Sequence, residues 1–251
     1  MFPTRTLITT QAKLYLREPA NVFFALVFPA LLLVAVGFIL PGMRDPIEDA
    51  GPALAGLRPI DLYLPAVLAL AIATIALTTY PPVFAIYREK GVLRRFATTP
   101  VPASRLLGAE IVVNLVALAV GVTLALVAGW LLLDFTMPSQ PLVVVGAFVL
   151  GALALMAAGS LIAAVAPTGG AASAISMSLY FPMLFFAGIW LPGPVMPEVL
   201  QRIATAVPLG SVAQSLTEGW FGSDVPWLQL AVLGAWTVVL VPLSARLFRW
   251  T

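Results

Sequence analysis

The sequence predicts an all-α integral membrane protein with six transmembrane helices, and three observations carry that prediction. Six stretches of roughly 20 apolar residues contain no Asp, Glu, Lys or Arg, so nearly all charge falls in the segments between them. A bilayer core about 30 Å thick takes about 20 helical residues to cross, and a charge at the centre of such a helix costs about 2.5 to 3.5 kcal/mol. The 251-residue chain is also 61% hydrophobic and 10% charged, against about 25% charged in soluble domains.

The elements follow in order, within one transmembrane domain spanning residues 1–251. Pro3–Pro19 alternates Leu7, Ile8, Leu14 and Leu16 with Arg5, Gln11, Lys13 and Arg17. It is expected to form a cytoplasmic amphipathic helix lying on the inner leaflet, ended by Pro19. The first hydrophobic run starts only after these basic residues and reaches full spanning length, so no cleavable leader is expected. The spans are placed at about 22–40, 62–86, 111–133, 142–166, 171–191 and 226–245. The fourth and fifth are divided only by Pro167-Thr168-Gly169-Gly170, where Pro and paired Gly favour a tight turn. The fourth, with Ala147, Gly151, Ala158, Gly159 and Ala163, reads as a close-packing helix. Between the fifth and sixth, residues 192–222 form an outer helical segment. Val195, Val199, Leu200, Ile203 and Val207 recur there at helical spacing opposite Glu198, Gln201, Arg202 and Thr205. The expectation is an interfacial helix, or a re-entrant pair whose second arm runs near Ser211–Trp220.

Orientation follows the basic residues. An even number of spans puts both termini on one side, and ten of the 13 Lys and Arg fall on that side. Both termini are therefore expected to be cytoplasmic. The opposite face carries only Arg44, Arg58 and Arg202, with acids such as Asp45, Glu48, Asp49 and Asp61 that read as solvated loop charge. Trp130, Trp190, Trp220 and Trp227 cluster at the expected outer ends, where amphipathic rings favour the headgroup layer. Trp236 falls mid-span and reads as a packing residue.

Missing chemistry narrows the function. There is no Cys and no His, so disulfides are absent, and the commonest general base and metal ligand is lost. The two lysines, Lys13 and Lys90, do not follow a Gly, so the chain holds no GxxxxGK[ST] phosphate loop. Ion-coupled transporters usually carry charged residues in their spans. Here only Glu110 comes close, at the inner mouth of the third. Uphill transport would need energy from another subunit.

The basic cytoplasmic connection, residues 87–105, is the natural contact for such a subunit. Val92, Leu93 and Phe96 share one side of a short helix among Arg88, Glu89, Lys90, Arg94 and Arg95, and Pro100 and Pro102 halt it. The charges alone fit equally an ordinary basic loop held on anionic lipid.

Four ordered features resemble the membrane subunit of a type-2 ABC (ATP-binding cassette) exporter. The amphipathic N-terminal helix ends in Arg17-Glu18-Pro19, near the family's Arg-Asp-Pro. Arg88-Glu89-Lys90-Gly91, followed by Leu93 and Pro100, resembles its coupling helix, although Val92 stands where a polar residue is common. The fifth span ends Phe186-Ala187-Gly188-Ile189-Trp190-Leu191-Pro192, followed by Met196-Pro197. Val207-Pro208-Leu209 then resembles the Pro of the family's outer helices.

The resemblance implies a permease in the cell membrane, exporting a small hydrophobic or amphipathic compound such as a drug, antibiotic or lipid-like molecule. It implies two cytoplasmic ABC ATPase subunits that bind ATP and Mg, and a second permease copy, identical or similar. This chain would hold no cofactor and would bind membrane lipid but no nucleic acid. Arg88, Glu89, Gly91, Leu93, Arg94, Phe96 and Pro100 would couple to the ATPase. The second and fifth spans would line the substrate path, and there Thr74 and Thr78, and Ser173, Ser176 and Tyr180, each fall on one helix face. Ser and Thr bonding back to their own helix is the competing reading of the hydroxyls. A glycan exporter shares the same subunit plan. A lipid-modifying enzyme would need convergent acids, His or metal, and a passive channel would need polar rings through its spans.

Overall fold

The structure, a computed structural model, describes residues 4–47, 56–92, 103–190 and 196–247. Among these residues it is helical throughout, with no strand and six helices long and apolar enough to cross a membrane. We number the helices α1 (Thr4–Leu16), α2 (Pro19–Ile39), α3 (Pro59–Glu89), α4 (Ala103–Leu133), α5 (Pro141–Val165), α6 (Gly169–Phe186), α7 (Glu198–Ala206), α8 (Pro208–Phe221) and α9 (Trp227–Leu247). The spans are α2, α3, α4, α5, α6 and α9.

One span is the hub. Nearly all of α3's apolar stretch is buried (94%), against 17% to 44% in the other five. α5 and α8 pack along α3, α9 packs on α5, α6 lies along the half of α3 that ends at Glu89, and α4 carries α1 and α2. That half of α3 is called inner, and the other outer, after the expected orientation. α3 continues past the expected limit of 86, because Arg88 and Glu89 remain helical. Gly91 then turns the chain at φ +67°, the left-handed conformation that ends helices and favours glycine. The fifth span is shorter than expected, since α6 stops at Phe186 and the chain turns at Gly188, φ +86°.

Two spans contain a π-helical turn: Phe23–Val27 in α2 and Thr74–Thr79 in α3. Proline explains both. In the ordinary register the Ala25 carbonyl would accept from residue 29, which is Pro29 and has no N–H. In α3 the Tyr80 N–H already reaches back to the Ile75 carbonyl. The next donor in that widened register would be Pro81, which leaves the Ala76 carbonyl without one. Each freed carbonyl meets a glycine of a neighbouring span. A Cβ on Gly121 of α4 would overlap the Ala25 oxygen, and a Cβ on Gly159 of α5 would overlap the Ala76 oxygen. The small residues of the fourth span thus let α5 approach α3 backbone to backbone, as the sequence pattern predicts.

The tight turn between the fourth and fifth spans is present, with Thr168 accepting the Ala171 N–H at 3.1 Å as the cap of α6. Asp61 corrects an expectation. It is 8% exposed and accepts bonds from the Arg58 backbone (2.8 Å), Nε (3.0 Å) and Nη2 (2.7 Å). It therefore caps the first turn of α3 one way, by accepting the Arg58 N–H, rather than standing as loose loop charge. Its bond to the side chain holds the Arg58 guanidinium more firmly protonated than usual.

In the outer segment, α7 and α8 are each shorter than a crossing. α7 is amphipathic, but its apolar Val199 (69%) and Ile203 (43%) point outward. Of its polar residues Gln201 and Thr205 turn inward while Glu198 and Arg202 stay exposed: Thr205 donates to Gln214 Oε1 at 2.8 Å, and Gln214 Nε2 donates to the Gln201 carbonyl at 3.0 Å. α8 is buried along most of its length. Trp236 does more than pack, since its Nε1 donates to the Ala206 carbonyl at the end of α7 (3.0 Å).

Candidate functional site between the second and fifth spans

The residues expected to line a substrate path fall along the seam where α3 and α6 run antiparallel, and the structure divides them among three levels. At the inner level, Thr78 and Ser173 line a cavity of about 640 Å³. Its other walls include Gln11 and Tyr15 of α1, Asn21 of α2 and Glu110 of α4. Thr78 and Ser173 also donate back to the Thr74 and Gly169 carbonyls (2.6 and 3.1 Å), so part of their hydroxyl capacity is spent within the helix.

At the middle level the Thr74 and Tyr180 hydroxyls meet at 2.9 Å, both buried. Thr74 also donates to the Leu70 carbonyl at 2.8 Å. With its one proton committed there, Thr74 accepts from Tyr180. Ser176 is fully buried, and its hydroxyl has no partner among the described residues.

At the outer level a second cavity, of about 590 Å³, is lined by Leu62 and Ala66 of α3 and by Phe186, Ala187 and Gly188 at the end of α6. Its polar wall includes the amides of Gln201, Gln214 and Gln229 together with charged Glu198, Arg202, Glu218 and Asp224. Along α3, Ala66 and Thr78 stand about 18 Å apart at 1.5 Å per residue. The two cavities therefore lie at different depths along α3, one beside its contact with α6 and one beside α7 and α8, with the Thr74–Tyr180 bond at a depth between them.

The expected coupling residues divide likewise. Leu93, Arg94, Phe96 and Pro100 lie outside the described residues. Arg88 and Glu89 contact the chain itself. Arg88 donates to the Ala164 (2.9 Å), Ala163 (3.1 Å) and Ala166 carbonyls, at the C-terminal end of α5. Glu89 Oε2 accepts the Gly169 N–H at 3.0 Å, at the start of α6. A cation on a helix C-terminus and an anion on an N-terminus are the favourable placements in the helix dipole. Adjacent residues at the inner end of α3 thus staple the α5–α6 turn from both sides.

The sequence singled out Glu110 at the mouth of the third span but gave it no role. It is 4% exposed, and its Oε1 accepts from Asn114 Nδ2 at 3.2 Å. Neither ion pair among the described residues, Arg58–Asp61 or Arg202–Glu198, includes it. Tyr15, also buried, has no partner for its hydroxyl among the described residues. Burial, with the Glu110 charge second, pushes its phenol well above its usual range, so it stays protonated. The available signal was Glu110 itself, a lone carboxylate at the edge of a chargeless stretch.

Six helices long and apolar enough to cross a bilayer, among the described residues, define a multi-pass membrane protein. The chain belongs to the ABC-2 type transporter family, whose model matches residues 3–221. It is similar to "Putative transport permease YvfS" of Bacillus subtilis (strain 168), at 29% identity over 166 residues. That match covers 64% of this chain and 66% of that protein, just under two thirds of the relative's length.

Proposed function

We propose that this chain is the permease through which an ATP-driven exporter moves a small hydrophobic or amphipathic compound (a drug, antibiotic or lipid-like molecule) out of the cytoplasm. It works in the cell membrane with both termini cytoplasmic, beside a second permease copy and over two ABC ATPase subunits. The observation that carries this reading is the pair of cavities at different depths along α3, with the closed Thr74–Tyr180 contact at a depth between them. A substrate would occupy the inner cavity, and separating α3 from α6 at Thr74–Tyr180 would join it to the outer one. Both cavities suit small molecules in size.

The staple supplies a route for force. Residues 87–105 are the ATPase-coupling connection in this reading, and Arg88 and Glu89 begin it. A push on that connection moves the inner end of α3 together with the α5–α6 turn, so α6 shifts with it. Gly91, Leu93, Arg94, Phe96 and Pro100 would form the part that meets the ATPase.

The test is substrate range in cells expressing the whole transporter. Bulky replacements, Thr78→Phe and Ser173→Phe, narrow or shift the set of exported compounds while the protein still reaches the membrane. Ser176→Phe, aimed into closed packing, lowers the amount of folded protein instead. An unaltered range in both cavity variants would return these residues to helix packing.

A further inference from the structure

The inner cavity has a chemical character that the export reading does not supply. Its exposed mouth carries Arg17, Glu18 and Lys90, whose fields water and salt cut off within about 8 Å. Inside, the one charged side chain among the lining residues is Glu110, which is 96% removed from solvent. Its single described partner is the neutral amide of Asn114. A buried carboxylate with no cation beside it is costly in a membrane protein and is usually paired or functional.

The rest of the wall is mixed. Tyr15 and Tyr87 bring aromatic rings, Gln11 brings an amide, and Pro82, Val83 and Ile86 bring apolar surface. The Tyr87 hydroxyl already bonds Gln11 Oε1 at 3.1 Å, which leaves the Glu110 carboxylate as the strongest acceptor facing the space. A metal ion fits poorly, because no group of three His, Cys, Asp or Glu is gathered among the described residues, and about 640 Å³ far exceeds one dehydrated ion. An organic cation with an apolar body satisfies every wall: ammonium on the carboxylate, methyls on the aromatic faces, and a tail on the aliphatic side.

We propose that this cavity is a binding site for the ammonium head of an amphipathic molecule, with Glu110 as its counter-ion and Tyr15 and Tyr87 as its aromatic walls. The inference deepens the export reading by naming a substrate class, and it rests on that reading only for what happens after binding. The ammonium can belong to a soluble amphiphile or to the headgroup of an aminophospholipid.

Binding of radiolabelled dodecyltrimethylammonium, kept below its micellar concentration, to the full chain in phosphatidylcholine nanodiscs tests the site without requiring transport. Glu110→Gln keeps the side chain's shape and is expected to weaken binding about tenfold or more, whereas Asp45→Asn, exposed beyond the end of α2 and away from the cavity, changes it less than twofold. Dodecanol, the neutral control, displaces little of the probe. If Glu110→Gln fails to fold, Ser173→Phe fills the cavity from α6 and must abolish the same binding.

Adding phosphatidylethanolamine separates the two sources. Competition with the probe, together with a lipid retained by wild type and lost from Glu110→Gln in native mass spectrometry, assigns the site to a headgroup. Probe binding indifferent to that lipid assigns it to a soluble amphiphile. Equal affinity in wild type and Glu110→Gln, or equal displacement by dodecanol, would overturn the proposal.

Discussion

Gly159→Ala is the sharpest perturbation of the packing that holds the seam. Alanine is the better helix former by about 0.8 to 1.0 kcal/mol, so propensity alone predicts stabilisation. Geometry predicts the reverse. The added Cβ would overlap the Ala76 oxygen and come within 3.2 Å of its carbon and 3.3 Å of Pro81 Cγ. Those atoms are backbone or proline ring and cannot rotate away. α5 must therefore retreat from α3 or distort, and overpacking of this kind costs about 1 to 3 kcal/mol. Set against the propensity gain, the net runs from about zero to a loss of about 2 kcal/mol. Relative to a glycine-to-alanine control that keeps the gain, the expectation is a loss of about 1 to 3 kcal/mol, or about 2 to 12 °C in melting temperature for a chain of this size. Gly234→Ala in α9 is the matched control, because nothing lies within 4 Å of its added Cβ. It should hold or raise the melting temperature. Both can be read by thermal unfolding of the purified chain in nanodiscs of one lipid composition. A Gly159→Ala protein as stable as Gly234→Ala would refute backbone contact at the α3 π-turn.

Two further perturbations probe the seam and its staple. Arg88→Ala strips the Ala163, Ala164 and Ala166 carbonyls of a charged donor. Charge-assisted bonds are worth about 1.5 to 3 kcal/mol each when buried, and partial solvent access reduces that here. A total loss of about 2 to 3 kcal/mol is expected, with Arg88→Lys intermediate because it cannot fork across three acceptors. Chemical unfolding of the three proteins would show the ranking, and an Arg88→Ala protein matching wild type would dismiss the staple. Tyr180→Phe removes the bond to Thr74 and should raise substrate leakage in proteoliposomes without ATP. Thr74→Val combined with Tyr180→Phe should add little more, since the two act as one contact, and additive leakage would separate their roles.

Much of the architecture was legible because insertion energetics act on each side chain independently of the fold. The chargeless stretches marked all six helices, and Pro167-Thr168-Gly169-Gly170 marked the α5–α6 turn. Features that depend on partners were less legible. The spacing of Thr74, Ser176 and Tyr180 placed each on a helix face, but nothing local says that Thr74 meets Tyr180 while Ser176 stays unpartnered. Amphipathy in α7 was plain. Its direction was not, because in a membrane the apolar face can point outward while Gln201 and Thr205 turn toward a polar interior. Asp61 read as solvated loop charge and Arg88 as part of the coupling connection, and only the fold shows each one bonded at a helix end. The π-turns had a signal in Pro29 and Pro81, since a proline must free a carbonyl upstream, but the glycines that receive those carbonyls come from other helices.

The central claim is that this permease works with a cytoplasmic ATPase engaged through the connection after α3. The most direct measurement is purification of the tagged chain from its own cells in mild detergent, with an ATPase assay on the product. The account predicts a co-purifying nucleotide-binding subunit with ATPase activity, lost when Glu89 and Arg94 are both replaced by alanine while the permease itself stays folded. A permease that purifies alone and without ATPase activity in several detergents, or a complex indifferent to those replacements, would contradict it.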